Sequence, residues 1–243
     1  MLPGKETRIA MGEIRMGIPE DITLFLKDLI KTSAFIETGT YKGTTSVWAS
    51  SHFDKVITIE LSREIFIQTK SLYQYIGNIE FVYGDSRKEL KRILNEFNQS
   101  AIFWLDAHWC DLDSYGENDQ CPLIDELEII CSSSGNHVIL IDDARLFLSP
   151  PPFPNIIKFY PTISEVIFKV MELMDAYIIV YEDVIFCIPK MFKKEFESFM
   201  QQKATYNEKI RKALQEREEK KKILIRKLKR ISGFKYWGSI LKI

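Results

Sequence analysis

The chain has 243 residues, 46% of them apolar, and a formal net charge of −1, which suits one α/β domain of common size plus an appendage, without covalent staples. The four cysteines, Cys110, Cys121, Cys131 and Cys187, form no close C-x-x-C pair, and no charged-then-apolar leader precedes the first helical pattern, so a reducing cytoplasm is the expected compartment. No stretch approaches the roughly 18 uninterrupted apolar residues of a membrane-spanning helix. The near-zero charge conceals an asymmetry: residues 1–190 carry 17 basic and 28 acidic side chains, a net −11, while residues 191–243 carry 16 and 6, a net +10. Two objects are expected, a domain over 1–190 and a basic tail over 191–243.

In chain order, Ile18-Pro19-Glu20-Asp21 opens a helix whose apolar face is Ile22, Phe25, Leu26, Leu29 and Ile30. Strands are predicted at Ala34–Glu37, Lys55–Glu60, Ile79–Tyr83, Ile102–Asp106 and His137–Asp142. The connections hold crossover helices, among them Glu64–Ile76, Arg87–Phe97 and Leu123–Cys131. Pro150, Pro151, Pro152 and Pro154 then make a loop, Thr162–Met174 reads as a helix, and Tyr177–Tyr181 with Val184–Ile188 forms an antiparallel hairpin around Glu182-Asp183. The alternation predicts an α/β fold with a doubly wound, mostly parallel sheet.

The first strand runs into Glu37-Thr38-Gly39-Thr40-Tyr41-Lys42-Gly43-Thr44-Thr45-Ser46, a glycine-bearing turn that opens a helix. Such a turn lets backbone approach a ligand, although Gly39 and Gly43 serve equally to permit the turn alone. Glu60 ends the second strand 21 residues after Gly39, where an acid can take both hydroxyls of a ribose; the plain alternative is a solvated strand end. Gly84-Asp85-Ser86 closes the third strand, with Asp85 either a ligand contact or a turn cap. The Gly-x-x-x-Gly spacing is not the G-x-G-x-x-G of a dinucleotide elbow.

Two further strands end in acids, in Phe103-Trp104-Leu105-Asp106-Ala107-His108-Trp109 and Val138-Ile139-Leu140-Ile141-Asp142-Asp143-Ala144-Arg145. The carboxyl ends of neighbouring strands share one crevice, so Asp106, Asp142 and Asp143 are expected to converge. A hard divalent cation such as Mg²⁺ would relieve their repulsion. His108 is a candidate general base, and strand-end caps with a structural histidine are the alternative. A zinc site from His108, Cys110 and Cys121 lacks a fourth ligand.

Over residues 34–190, this order of elements together with Glu37, Gly39, Gly43, Glu60 and Asp85 resembles the class I S-adenosylmethionine-dependent methyltransferases, whose seven-stranded sheet ends in an antiparallel strand. The resemblance implies S-adenosylmethionine as cofactor, with Glu37 facing the methionine part, Glu60 the ribose and Asp85 the adenine, and with Gly39, Gly43 and Ser86 also at the cofactor site. The acids resemble those of metal-dependent O-methyltransferases of the catechol and macrolide-sugar types. That implies Mg²⁺ on Asp106, Asp142 and Asp143, acting as a Lewis acid on an acceptor hydroxyl. The catechol enzyme has a lysine near the place of His108; here the neighbours are Trp109 and Cys110. Leu-Asp-Ala-His-Trp, Cys-Pro-Leu-Ile-Asp-Glu-Leu-Glu and Ile-Asp-Asp-Ala-Arg look like methyltransferase-like proteins found with glycan-assembly enzymes, which implies a sugar hydroxyl as acceptor. The loop 110–125 would cover the crevice. The other class of function is a non-catalytic binding or scaffold protein on this fold, localised by its tail.

Met191–Ser232 lacks proline and reads as a long helix, with Ile210, Leu214, Leu224, Leu228 and Ile231 at helical spacing and Arg217 and Lys221 interrupting the stripe. Lys220-Lys221-Lys222, Arg226-Lys227 and Lys229-Arg230, followed by Phe234, Tyr236 and Trp237, suit an anionic membrane surface, which would place the protein at the inner face of the membrane. A solvated helix or partner-binding extension is the alternative, and the acidity of the first domain speaks against nucleic acid.

Overall fold

The computed structural model describes residues 17–109 and 119–232, with side chains in the last helix described through residue 228. The readings made for Cys110, the start of the crevice loop, Lys229, Arg230, Ile231, Phe234, Tyr236 and Trp237 therefore lie outside the described residues or side chains. The chain divides into two compact units, Met1–Lys193 and Lys194–Ile243.

In the first unit, α1 (Glu20–Ile30), β1 (Ala34–Thr38), α2 (Thr44–Ser50), β2 (Lys55–Glu60), α3 (Arg63–Tyr73), β3 (Ile79–Tyr83), α4 (Ser86–Glu96) and β4 (Ile102–Leu105) alternate. They are followed by α5 (Leu123–Cys131), β5 (Val138–Ile141), α6 (Arg145–Leu148), α7 (Ile163–Leu173), β6 (Ala176–Tyr181) and β7 (Val184–Pro189). Seven strands form one sheet in the order β3-β2-β1-β4-β5-β7-β6, with β7 antiparallel to both its neighbours and the β1 to β5 pairings parallel. Every residue of β1, β4, β5 and β7 is buried, as strands covered on both faces must be. This is the Rossmann-like fold expected from the alternation, with its antiparallel end.

Local chemistry sets the joints. Thr162 and Glu165 form a reciprocal capping box that starts α7. At the opposite end of the sheet the His137 ring accepts from the Ala101 N–H at 3.2 Å and meets the Ser133 hydroxyl at 3.0 Å, tying the entrance of β5 to that of β4. The hairpin turn has Glu182 and Asp183 both at positive φ (46° and 67°), the geometry that matches the twist of two antiparallel strands. Asp183 then reaches back to the segment after β5: its carbonyl accepts from the Ala144 N–H and its carboxylate from the Arg145 N–H, both at 2.8 Å. That anchor holds the four-residue helix α6, ahead of the prolines, where sequence reading gives only loop.

The turn after β1 is equally constrained. Gly39 has φ +85°, and a Cβ there would collide with the carbonyl oxygen of Asp106 and stand 3.1 Å from the Ala107 Cα. Gly43, at φ +71°, faces Thr69 and Tyr73 of α3.

The second unit contains α8 (Lys193–Ser232), one uninterrupted helix of 40 residues. Ile210, Leu214, Leu224 and Leu228 are exposed along it. Among the described residues no helix is long and apolar enough to cross a membrane.

Gly39→Ala combines a left-handed alanine with a clash against backbone, so it should lower unfolding free energy by about 2–4 kcal/mol. Urea denaturation checks this; a loss below about 1 kcal/mol would show that the β1 and β4 turns can separate cheaply.

Candidate functional site

The carboxyl ends of β1 to β4 open into one crevice, lined among others by Gly39, Tyr41, Glu60, Asp85, Asp106 and His108, with Ser86 also on its wall. Six residues singled out from sequence thus come together: Gly39, Glu60, Asp85, Ser86, Asp106 and His108. Glu37, Gly43, Asp142 and Asp143 do not line this crevice.

Glu37 lies beneath it, fully enclosed. Its carboxyl accepts from the Ser46 hydroxyl and, at 2.7 Å, from Thr58, whose oxygen meets Thr40 at 2.7 Å. Burial pushes its pKa up to about 8 against those hydroxyls. Glu37 therefore supports the turn over it, and Gly43 packs that turn on α3.

Glu60 uses both carboxylate oxygens on backbone. One accepts from the Tyr41 N–H at 3.0 Å, the other from the Ser62 N–H at 2.7 Å. Burial raises its pKa while these donors oppose the rise. Tyr41 sits at φ 45°, a conformation costly for a bulky residue and held here by Glu60 and by its carbonyl accepting from Thr69 at 2.6 Å. Glu60 also lines the crevice.

Asp85 is the N-cap of α4, accepting from the Arg87 N–H at 3.0 Å, and its carboxylate is also clamped by the Arg87 guanidinium at 2.9 and 2.8 Å. Those hydrogen bonds hold its pKa below the usual value. Arg87 also reaches Asp119 at 2.7 Å, crossing from α4 to the chain before α5.

At the far end the His108 ring stands between two carboxylates, Nδ1 at 3.2 Å from Asp106 and Nε2 at 2.6 Å from Asp143. The other Asp143 oxygen pairs with Arg145 at 2.6 Å, and Arg145 pairs in turn with Asp183. Burial works against ionisation of Asp143, but His108 and Arg145 hold its carboxyl below the usual range. Asp143 adopts φ 56°, fixed by its N–H donating to Asp142 Oδ1 at 2.7 Å. Asp142 faces the other way, into a small cavity shared with Asp106, His108 and Glu126. Burial, then the charges of Asp106 and Asp143, push Asp142 up to about 8.

The three acids proposed as cation ligands are thus neighbours, but this arrangement does not fit a shared cation. Both oxygens of Asp143 already face cationic or N–H groups, and among the described residues no group of three His, Cys, Asp or Glu side chains is disposed to hold a metal. Arg145 and His108 supply the opposing charge instead.

Sequence reading missed Arg87 and Arg145, although each lies two residues after a singled-out acid, Asp85 or Asp143, and that spacing was the available signal. Glu126 gave no signal. It is fully enclosed in α5, its Oε1 without a partner among the described residues, and burial lifts its pKa to about 7 against the hydroxyls of Ser86 and Thr38.

No protein-family model matches the chain, and no curated protein does. Among solved structures, the S-adenosylhomocysteine-bound methyltransferase PaMTH1 of Podospora anserina is 16% identical with a TM-score of 0.52, covering 72% of this chain and 79% of its own. A Klebsiella pneumoniae protein provisionally described as an O-methyltransferase is 14% identical, TM-score 0.48, covering 72% and 82%. The precorrin-6y C5,15-methyltransferase of Geobacter metallireducens is 8% identical, TM-score 0.46, covering 72% and 88%. The chain has the Rossmann-like fold of the methyltransferases.

Glu126 binds its proton more tightly folded than unfolded, so its contribution is present below the ordinary value of 4.5 and is lost as pH rises toward about 7. Glu126→Gln removes that dependence. Between about pH 5 and pH 7 the urea midpoint of the wild type should fall more steeply than that of Glu126→Gln; parallel slopes would show that Glu126 folds ionised.

Proposed function

We propose that the protein is an S-adenosylmethionine-dependent methyltransferase that methylates a hydroxyl, on a sugar or glycan precursor. The observation that carries this reading is the single crevice in which Gly39, Glu60, Asp85 and Asp106 meet at the carboxyl edge of a methyltransferase-type sheet. S-adenosylhomocysteine in the Podospora anserina protein supports the choice of cofactor. The resemblance to sugar-modifying O-methyltransferases supports the acceptor class.

Bound cofactor supplies an electrophilic methyl group on a sulfonium. Glu60 accepts from the ribose hydroxyls with the lone pairs not used by Tyr41 and Ser62, so its anchored orientation costs little on binding. Asp85, held by Arg87, presents an oriented carboxylate to the adenine amino group. Near the acceptor, His108 faces a carboxylate at each ring nitrogen, which suits it to donate rather than to abstract. Asp106 is the more exposed of the two, with a side-chain accessibility of 32% against 11%. Asp106 is therefore the group that takes the hydroxyl proton. His108, fixed by Asp143, positions it.

The Mg²⁺ implied by the catechol-type resemblance would have to displace Arg145 and His108 from Asp143. No step here depends on it. The basic helix adds a location: each Lys or Arg near an anionic bilayer gains roughly 1 kcal/mol, enough for Lys220–Arg226 and their neighbours to hold the protein at a membrane surface.

Two measurements test the site. S-adenosylhomocysteine should bind the wild type in calorimetry, and Glu60→Ala should weaken binding by about 1.5–3 kcal/mol, with Glu60→Gln as a check that the turns remain folded. Absence of binding to the wild type would overturn the enzyme reading in favour of a scaffold. Separately, millimolar Mg²⁺ should leave the melting temperature of the cofactor-bound protein unchanged. A saturable stabilisation would show that His108 and Arg145 yield Asp143 to a cation.

A further inference from the structure

Arg87, in the first turn of α4, gathers three carboxylates from separate parts of the chain. Its Nε and Nη2 grip Asp85 Oδ1 and Oδ2 at 2.9 and 2.8 Å, Nη2 also meets Asp119 at 2.7 Å, and Nη1 lies 3.5 Å from Asp125 in α5. Asp85, Arg87 and Asp119 all line the crevice. An ion pair two residues apart near the surface is by itself loose, since a long side chain exchanges partners there at little cost. Asp119 changes that. Its neighbour Gln120 is buried, with its carbonyl accepting from the Trp109 N–H and its side chain from the Ile156 N–H, both at 2.8 Å, so Asp119 offers the guanidinium a partner on anchored backbone. A planar fork gripped by two such carboxylates keeps one orientation, which an ammonium in its place would not.

What the fork does to Asp85 follows from counting acceptor sites, of which an ionised carboxylate has about four. Oδ1 uses two, on the Arg87 N–H and Nε, and Oδ2 uses one, on Nη2. The same contacts hold the Asp85 pKa down, so the group stays ionised and can only accept. About one site is left, on Oδ2, enough for one N–H donor and too few for a pair of them. We infer that Arg87, held by Asp119, is the specificity-determining residue of the adenine end: it orients Asp85 so that the carboxylate accepts a single N–H, that of the adenine amino group. Arg87 acts through Asp85 and is a positioning residue. The inference rests on S-adenosylmethionine being the cofactor and extends that reading to Arg87 and Asp119.

The test compares, by calorimetry on the full chain, S-adenosylhomocysteine with its analogue carrying hydrogen in place of the adenine amino group. The wild type should favour the first by about tenfold, the discrimination expected when a charged acceptor loses its donor. Arg87→Lys, which keeps the charge without the fork, and Arg87→Met should reduce the ratio below about threefold, by weakening the first ligand and leaving the second nearly unchanged. Asp119→Asn should give an intermediate ratio, and Arg87→Met combined with Asp119→Asn should match Arg87→Met alone, because the two residues act through one contact. A residue that only supported the fold would lower both affinities together and leave the ratio intact. That outcome, or a wild type that binds both ligands equally, would overturn the inference while leaving the cofactor reading in place. A wild type that binds neither ligand would remove the cofactor reading itself, and the inference with it.

Discussion

The structure depends on how it accommodates buried carboxylates at one edge of a sheet. Glu37, Glu60, Glu126, Asp142 and Asp143 lie within the reach of a few strand ends, and a low-dielectric site tolerates such a set only if each member is answered. The answers differ. Glu60 has backbone N–H groups, Asp143 has Arg145 and His108, Glu37 has two hydroxyls and a raised pKa, and Glu126 and Asp142 are pushed toward the protonated form. Charge is thereby kept on Asp85 and Asp143, whose pKa values are lowered, and withdrawn from the layer beneath.

Rigidity follows from the same contacts. Tyr41 and Asp143 both occupy left-handed backbone conformations, and each is held by a carboxylate: Tyr41 by Glu60, and Asp143 by Asp142 through its N–H and by its own side chain on His108 and Arg145. Gly39 lets the β1 turn touch the backbone at Asp106, so the Glu60 side and the His108 side of the crevice share one joint. A displacement at either side is felt at the other because the backbones are in contact there.

Much of this was legible in the sequence. The fully buried strands announce themselves as apolar runs closed by acids, and Glu37, Glu60, Asp106 and Asp142 mark their ends to within one residue. The hairpin was readable from Glu182-Asp183 because a two-residue turn is a local property. What stayed hidden was nonlocal. Nothing near Asp183 says that it will cap the segment after β5, nothing near Glu126 says that α5 will turn it under the crevice, and the assignment of Asp143 to a cation could not anticipate that Arg145 would bend back onto it. Gly43 looked like a ligand contact because a turn glycine reads the same whether it approaches a cofactor or, as here, the side chains of α3.

The bridge from Arg145 to Asp183 sets an order on the making of the protein. A ribosome releases β1 to β5 and every crevice residue well before the hairpin, yet Arg145 lacks its second anchor until the turn between β6 and β7 has emerged and β7 has slotted in beside β5. A nascent chain that already contains Asp106, His108 and Asp143 thus holds a half-supported acidic cluster. The cluster gains its full set of partners only when the last strand pair closes the sheet.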